Sequence, residues 1–227
     1  MFGSYRLALS LIVVLVHLKF IPMGWAAWYA VFAFYVLSGF LMTAVLNQTY
    51  GFSRTGLIRF GMNRFLRLYP SYYFIGALSV ACIMFFGVRN SLNVHLQLPK
   101  NGWDLLTAIT IIGRAGFSPS DIGTARLIPT AWSLGVEVTC YVLLAVYFAR
   151  SVLRLWSLFA IGVIVTVFAL FVHGGVAASF PHRYVVIQAG FLPYACGGIL
   201  FFERGVAGKI MSRIPMLCIF VMIAINL

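Results

Sequence analysis

Three polar residues stand in the first apolar run of the chain, YRLALSLIVVLVH: Arg6, Ser10 and His17. An α-helix advances about 1.5 Å and 100° per residue, so eleven residues make three turns, about 16 Å, and return to within about 20° of the starting face. Arg6, Ser10 and His17 therefore share one stripe of a helix whose other faces are Leu, Ile and Val. A polar stripe in apolar surroundings needs a polar partner or a cavity to face. A neutral imidazole there can act as general base towards a hydroxyl. The plainer reading is a histidine hydrogen-bonded between helices.

A second set is WSLGVEVTCY at 132–141, where Thr130, Ser133, Glu137 and Tyr141 recur at three- and four-residue spacing and share a face. Glu137 is the only acid inside any predicted span. Counted from the outer end near Leu127 it lies about 15 Å deep, and His17, counted from the inner end, reaches about the same plane. An unpaired carboxylate at that depth would be costly. The expectation is that Glu137 and His17 meet, directly or through water, around one buried site. The alternative is that Glu137 pairs with an arginine for assembly alone.

A third is the basic stretch RTGLIRFGMNRFLRLYP. Arg64 and Arg67 are spaced i,i+3 just before Pro70 and suit phosphate groups through bidentate hydrogen bonds. Ordinary positive charge facing lipid headgroups would read the same way. In FYVLSGFLM at 34–42, Ser38 and Gly39 are small residues that permit close approach of another helix or a slender ligand. His95, His173 and His182 fall in predicted outer loops without a second ligand at a metal spacing, so no metal site is predicted.

The elements that position these residues follow from composition. Of 227 residues 63% are hydrophobic and only 9% charged. A soluble domain carries about 25% charged residues. The long apolar runs predict an all-α, polytopic membrane bundle forming a single domain. The net charge of +12 is spread over short loops between those runs, which favours membrane topology over nucleic acid. Cys82, Cys140, Cys196 and Cys218 are isolated within apolar runs and read as small hydrophobes. The first run contains His17 and Lys19 and no clean cleavage site, so it does not read as a signal peptide.

About seven spans are predicted, near 6–23, 25–47, 68–88, 127–149, 156–173, 184–202 and 214–227. Residues 104–113 are apolar but too short, and read as a re-entrant or interfacial helix. With the N-terminus inside, Arg6, Arg54, Arg59, Arg64, Arg67, Arg150, Arg154, Arg204, Lys209 and Arg213 fall on the inner side. Lys19, Arg89, Lys100, Arg114, Arg126 and Arg183 fall outside, four of them in one long loop. Making 104–113 a span would weaken this bias. The last run is about 21 Å of helix against a hydrocarbon core of about 30 Å, which suggests a partial helix or a C-terminally truncated chain.

Four features in order resemble the membrane-integral acyltransferase family three, the bacterial O-acyltransferases of surface polysaccharides and peptidoglycan. They are the Arg6-to-His17 start, FYVLSGFLM, the pair in RFLRLYP, and AWSLGVEVTCYVLL. The resemblance covers residues 6 to about 148. It implies a cytoplasmic acyl-CoA donor, acetyl-CoA the expected one, and an extracytoplasmic saccharide hydroxyl as acceptor. It implies His17 as the catalytic histidine, Arg6 as its partner on the same helix, and Arg64 with Arg67 as the pair holding the CoA phosphates. Trp132, Ser133, Glu137 and Tyr141 match the family's Trp-Ser-Leu-x-x-Glu…Tyr signature. Two features depart from it: Val138 stands where a second acid is usual, and the chain is shorter than members of that family.

The expectation is therefore O-acyl transfer in the bacterial inner membrane, with the lipid bilayer, acyl-CoA and a saccharide acceptor as partners and no nucleic acid. His17 and Glu137 are the candidate catalytic residues; Arg6, Arg64, Arg67 and Ser38 are the candidate donor-binding ones. The rival readings are a proton-coupled, flippase-like carrier relaying protons through His17 and Glu137, and a non-catalytic truncated membrane subunit.

Overall fold

The chain turns sharply after α1 (Phe2–His17). Lys19 takes a left-handed conformation, φ 61°, while Lys19 N–H donates to the Val16 carbonyl at 3.0 Å and Phe20 N–H to that of Leu15 at 2.9 Å. This pair of bonds is the Schellman motif, whose left-handed position favours glycine because a side chain costs about 1 kcal/mol there. Lys19→Gly is accordingly expected to stabilise the protein by up to about 1 kcal/mol. A raised melting temperature of the detergent-solubilised protein checks this, and an unchanged one counts against it.

The computed structural model describes residues 2–20, 24–86, 98–99, 101–111, 127–128, 131–173 and 190–203, and among them it is all-helical, without a strand. α2 (Gly24–Val45) continues into a π-helical turn, Leu46–Tyr50. α3 (Arg54–Phe86) follows, then α4 (Gly102–Thr110), α5 (Trp132–Val146), a 3₁₀ turn at Phe148–Arg150, α6 (Val152–His173) and α7 (Leu192–Phe202). Among the described residues two helical stretches, Tyr29–Tyr50 and Arg54–Phe85, are long and apolar enough to cross a membrane, against the seven spans expected; α1, α5, α7 and Val152–Phe168 of α6 are apolar but shorter. Of the seven predicted spans, 214–227 and the first residues of 184–202 lie outside the described residues.

α3 differs most from its prediction. The third span is expected from 68, with Arg64 and Arg67 on one helix face just before Pro70. It starts instead at Arg54, and Pro70 lies inside it. The Ser53 hydroxyl accepts the Gly56 N–H at 3.1 Å and caps the true start. Gly56 is required there, since a Cβ would stand 2.1 Å from the Tyr50 carbonyl oxygen. Arg64 and Arg67 therefore ride about 15–20 Å along a helix of about 50 Å that is continuous with the predicted span.

The predicted short element near 104–113 is the nine-residue α4, capped by the Asn101 side chain accepting from Asp104 N–H at 2.7 Å. Its closing carbonyls, which a helix end leaves without intrahelical partners, are met by three tyrosines of α3. Tyr72 donates to the Ala108 carbonyl at 2.7 Å, Tyr73 to Ile109 at 2.9 Å and Tyr69 to Thr110 at 2.6 Å.

α2 is the centre of the packing. Its main partner is α7, which also lies on α6, while α1 and α5 pack on α2 from other sides. The core between them includes Tyr35, Leu46, Val136, Leu144, Leu155 and Tyr194. Asn47 ties two turns together at one end of the bundle, donating to the Thr43 carbonyl and to the Ala149 carbonyl, each at 2.8 Å. Two segments expected on the same side of a membrane, 46–54 and 147–154, thus meet at one end. Lys19 belongs to the other, beyond the α1–α2 hairpin.

Candidate functional site

The buried carboxylate of Glu137 is the centre of the polar interior. It stands on α5, and the Tyr141 hydroxyl one turn further donates to its Oε1. Arg6 reaches it from α1, with Nη2 at 3.9 Å from Oε1 and side chains 16% and 7% exposed. The Arg6 guanidinium also lies over the Phe34 ring of α2, 4.6 Å from its centre. α1 and α2 form an antiparallel hairpin, which is why residue 6 meets residue 34.

Arg64 approaches from α3. Its guanidinium lies over the Phe60 ring at 5.6 Å, and its Nε is buried without a hydrogen-bond partner among the described residues. Phe60 in turn meets Tyr141 edge-on at 6.4 Å. Arg67, one turn on, is exposed. Glu137 lies within the electrostatic field of Arg6, Arg67 and Arg64. Two helices, α1 and α3, thus bring three cations towards the carboxylate of a third, and the surplus positive charge suits an anionic ligand.

His17 is elsewhere. It closes α1, exposed, with Nδ1 donating to the Val13 carbonyl at 2.8 Å. A carbonyl only accepts, so in the neutral ring this bond leaves the lone pair on Nε2. The eleven residues from Arg6 to His17 separate the imidazole from the Glu137 cluster by about 16 Å along α1. The expected meeting of His17 and Glu137 is not found; Glu137 pairs with Arg6. The reason is register: α1 slides along α2 so that Arg6, and not His17, stands level with Glu137. Ser10 donates to the Arg6 carbonyl at 2.9 Å and is exposed.

Ser38 is fully buried, its Oγ without a partner among the described residues. Beside it Gly39 meets the α7 backbone, where a Cβ would stand 2.3 Å from the Tyr194 carbonyl oxygen. Close helix packing accounts for this Ser-Gly pair. Thr130, expected on the face of Glu137, lies outside the described residues. Among the described residues no group of three His, Cys, Asp or Glu side chains stands together to hold a metal ion.

Sequence reasoning missed Tyr194. It is fully buried on α7, and its hydroxyl has no partner among the described residues. Its ring lies 5.5 Å from that of Tyr35 and 6.1 Å, edge-on, from that of Tyr141. Tyr35 donates to the Ser133 carbonyl at 3.1 Å. The available signal was a tyrosine among small residues, PYACGG, in an otherwise apolar run.

Compared with protein-family models, curated proteins and solved structures, the chain matches none.

Proposed function

We propose that the chain is a multi-pass protein of the bacterial inner membrane, with about seven spans and a cytoplasmic N-terminus, that moves an acyl group, acetyl the expected one, from acyl-CoA to a saccharide hydroxyl. The observation that supports this reading is the gathering of Arg6, from α1, and Arg64 and Arg67, from α3, around Glu137 on α5. More positive charge gathers there than one carboxylate balances, as a site for the phosphates of a nucleotide thioester requires.

The offset of His17 fits the same scheme. An extended pantetheine arm separates the CoA diphosphate from its thioester by a length comparable to the rise from Arg6 to His17. With phosphates near Arg64 and Arg67, the thioester reaches the exposed imidazole at the far end of α1. There His17 Nε2 takes the proton of the acceptor hydroxyl as its oxygen attacks the thioester carbonyl. The carbon–sulfur bond breaks, and the CoA thiolate leaves and takes up a proton. Glu137 does not touch the reacting atoms in this scheme; it holds Arg6 and sets the charge of the phosphate site.

The test separates donor binding from chemistry. Each charge-assisted hydrogen bond to a phosphate contributes roughly 1.5–3 kcal/mol, so Arg64→Ala and Arg67→Ala are each expected to weaken CoA binding about ten- to a hundredfold in calorimetry. His17→Ala is expected to abolish acyl transfer with CoA binding retained. Mass spectrometry of cell-envelope glycans with and without the gene reads the product as an ester mass difference. A His17→Ala variant that acylates normally, or a wild-type protein that binds no CoA, sinks the reading.

A further inference from the structure

We propose that the end of the bundle joined by Asn47 is a docking surface for anionic phospholipid headgroups, formed by Arg54, Arg59, Arg150 and Arg154. The inference rests on the membrane reading above and is independent of acyl transfer. The Asn47–Ala149 hydrogen bond brings the α2–α3 and α5–α6 turns side by side. Arg150 is exposed, with its guanidinium over the Phe52 ring at 5.1 Å, so it is held across the junction of the two turns. Arg154 lies over the Tyr147 ring at 4.5 Å, and its Nη1 donates to the Tyr147 carbonyl at 3.4 Å. Arg54 and Arg59 are exposed on the first turns of α3. None of the four makes an ion pair among the described residues, and Glu203, closing α7, is the acid nearest this end by register.

The surroundings favour a lipid over a free anion. Ile58, Val146, Tyr147 and Leu153 are exposed beside these arginines, Leu153 to 77%. A soluble phosphate would leave them in water. A phospholipid covers them with its acyl chains while its phosphate meets the guanidiniums. α3 also exceeds a hydrocarbon core of about 30 Å by about 20 Å, which leaves its arginine-bearing first turns at headgroup level.

The experiment extracts the full-length protein in mild detergent from vesicles of equal parts phosphatidylglycerol and phosphatidylcholine, and measures retained lipid by mass spectrometry. Wild type is expected to enrich phosphatidylglycerol roughly tenfold, from a several-fold preference for each well-placed arginine. Arg150→Gln/Arg154→Gln is expected to lose most of that enrichment with its helix content intact, and Lys19→Gln, at the opposite end, to keep it. Should the double variant lose helix content, a salt titration of the wild type decides: enrichment is expected to fall at high salt, and enrichment that survives it overturns the proposal. Absence of enrichment in wild type, equal loss in Lys19→Gln, or displacement of the lipid by millimolar inorganic phosphate also overturns it. A chain that stays in the membrane pellet yet shows no lipid preference defeats the docking surface and leaves the membrane reading standing.

Discussion

Gly197→Ala is expected to destabilise the protein by about 3 kcal/mol, at the upper end of the usual cost of overpacking. A Cβ at this position would stand 2.0 Å from the Val36 carbonyl oxygen and 2.6 Å from the Phe40 nitrogen. Both are backbone atoms of α2, so no side chain can swing away to make room. The helices must move apart, and with them Tyr194, Tyr35 and Tyr141 at the polar centre. Small residues at such crossings let backbones approach closely enough for dense van der Waals contact, which drives helix association where the apolar effect is weak. Gly61→Ala is the control: nothing stands within 4 Å of its added Cβ. Within α3 it should be neutral or stabilising by up to about 1 kcal/mol, the helix propensity gained. Thermal melts in detergent, followed by circular dichroism, compare the two. Equal melting temperatures would mean that the α2–α7 crossing is not as close as described.

Glu137→Leu is expected to cost about 3–4 kcal/mol, as breaking a buried ion pair by removing one partner generally does. Arg6 would lose its counter-charge and the Tyr141 hydroxyl its acceptor. The double variant Arg6→Met/Glu137→Leu should regain most of that stability, because replacing both charges with apolar groups is often nearly neutral. Combined with an acyl-transfer assay, the pair of variants tests the purpose of the ion pair. If it serves only assembly, the double variant recovers activity along with stability. If it shapes the donor site, the double variant is stable and still weak in CoA binding. A double variant no more stable than Glu137→Leu would show that the 3.9 Å contact contributes little.

The polar residues were legible because they stand out against an apolar background. Arg6, Glu137, Arg64 and Arg67 are conspicuous by type alone, and a carboxylate in an apolar helix demands a partner. That demand held; its identity was open, and Arg6 rather than His17 met it. Depth counting erred because it assumed that each helix starts where its apolar run starts. α3 begins fourteen residues before the predicted boundary, and α1 is level with α2 by the geometry of their hairpin, not by hydropathy. The short α4 was readable from length, since nine residues cannot cross a bilayer. The three tyrosines that hold it were not, because their acceptors are backbone carbonyls that leave no mark on side-chain sequence.

Composition and periodicity by themselves determined the all-helical architecture, the candidate polar residues and the placing of the 46–54 and 147–154 turns at the same end of the bundle, because burial and charge placement act locally on residue type. Tertiary structure alone decided which cation meets Glu137, how far His17 stands from it, and that Tyr194 and Gly39 meet at the core. Those depend on the axial slide and close approach of one helix against another, which no single helix encodes: shifting α1 by a few turns keeps every local preference satisfied and changes which side chain faces the carboxylate.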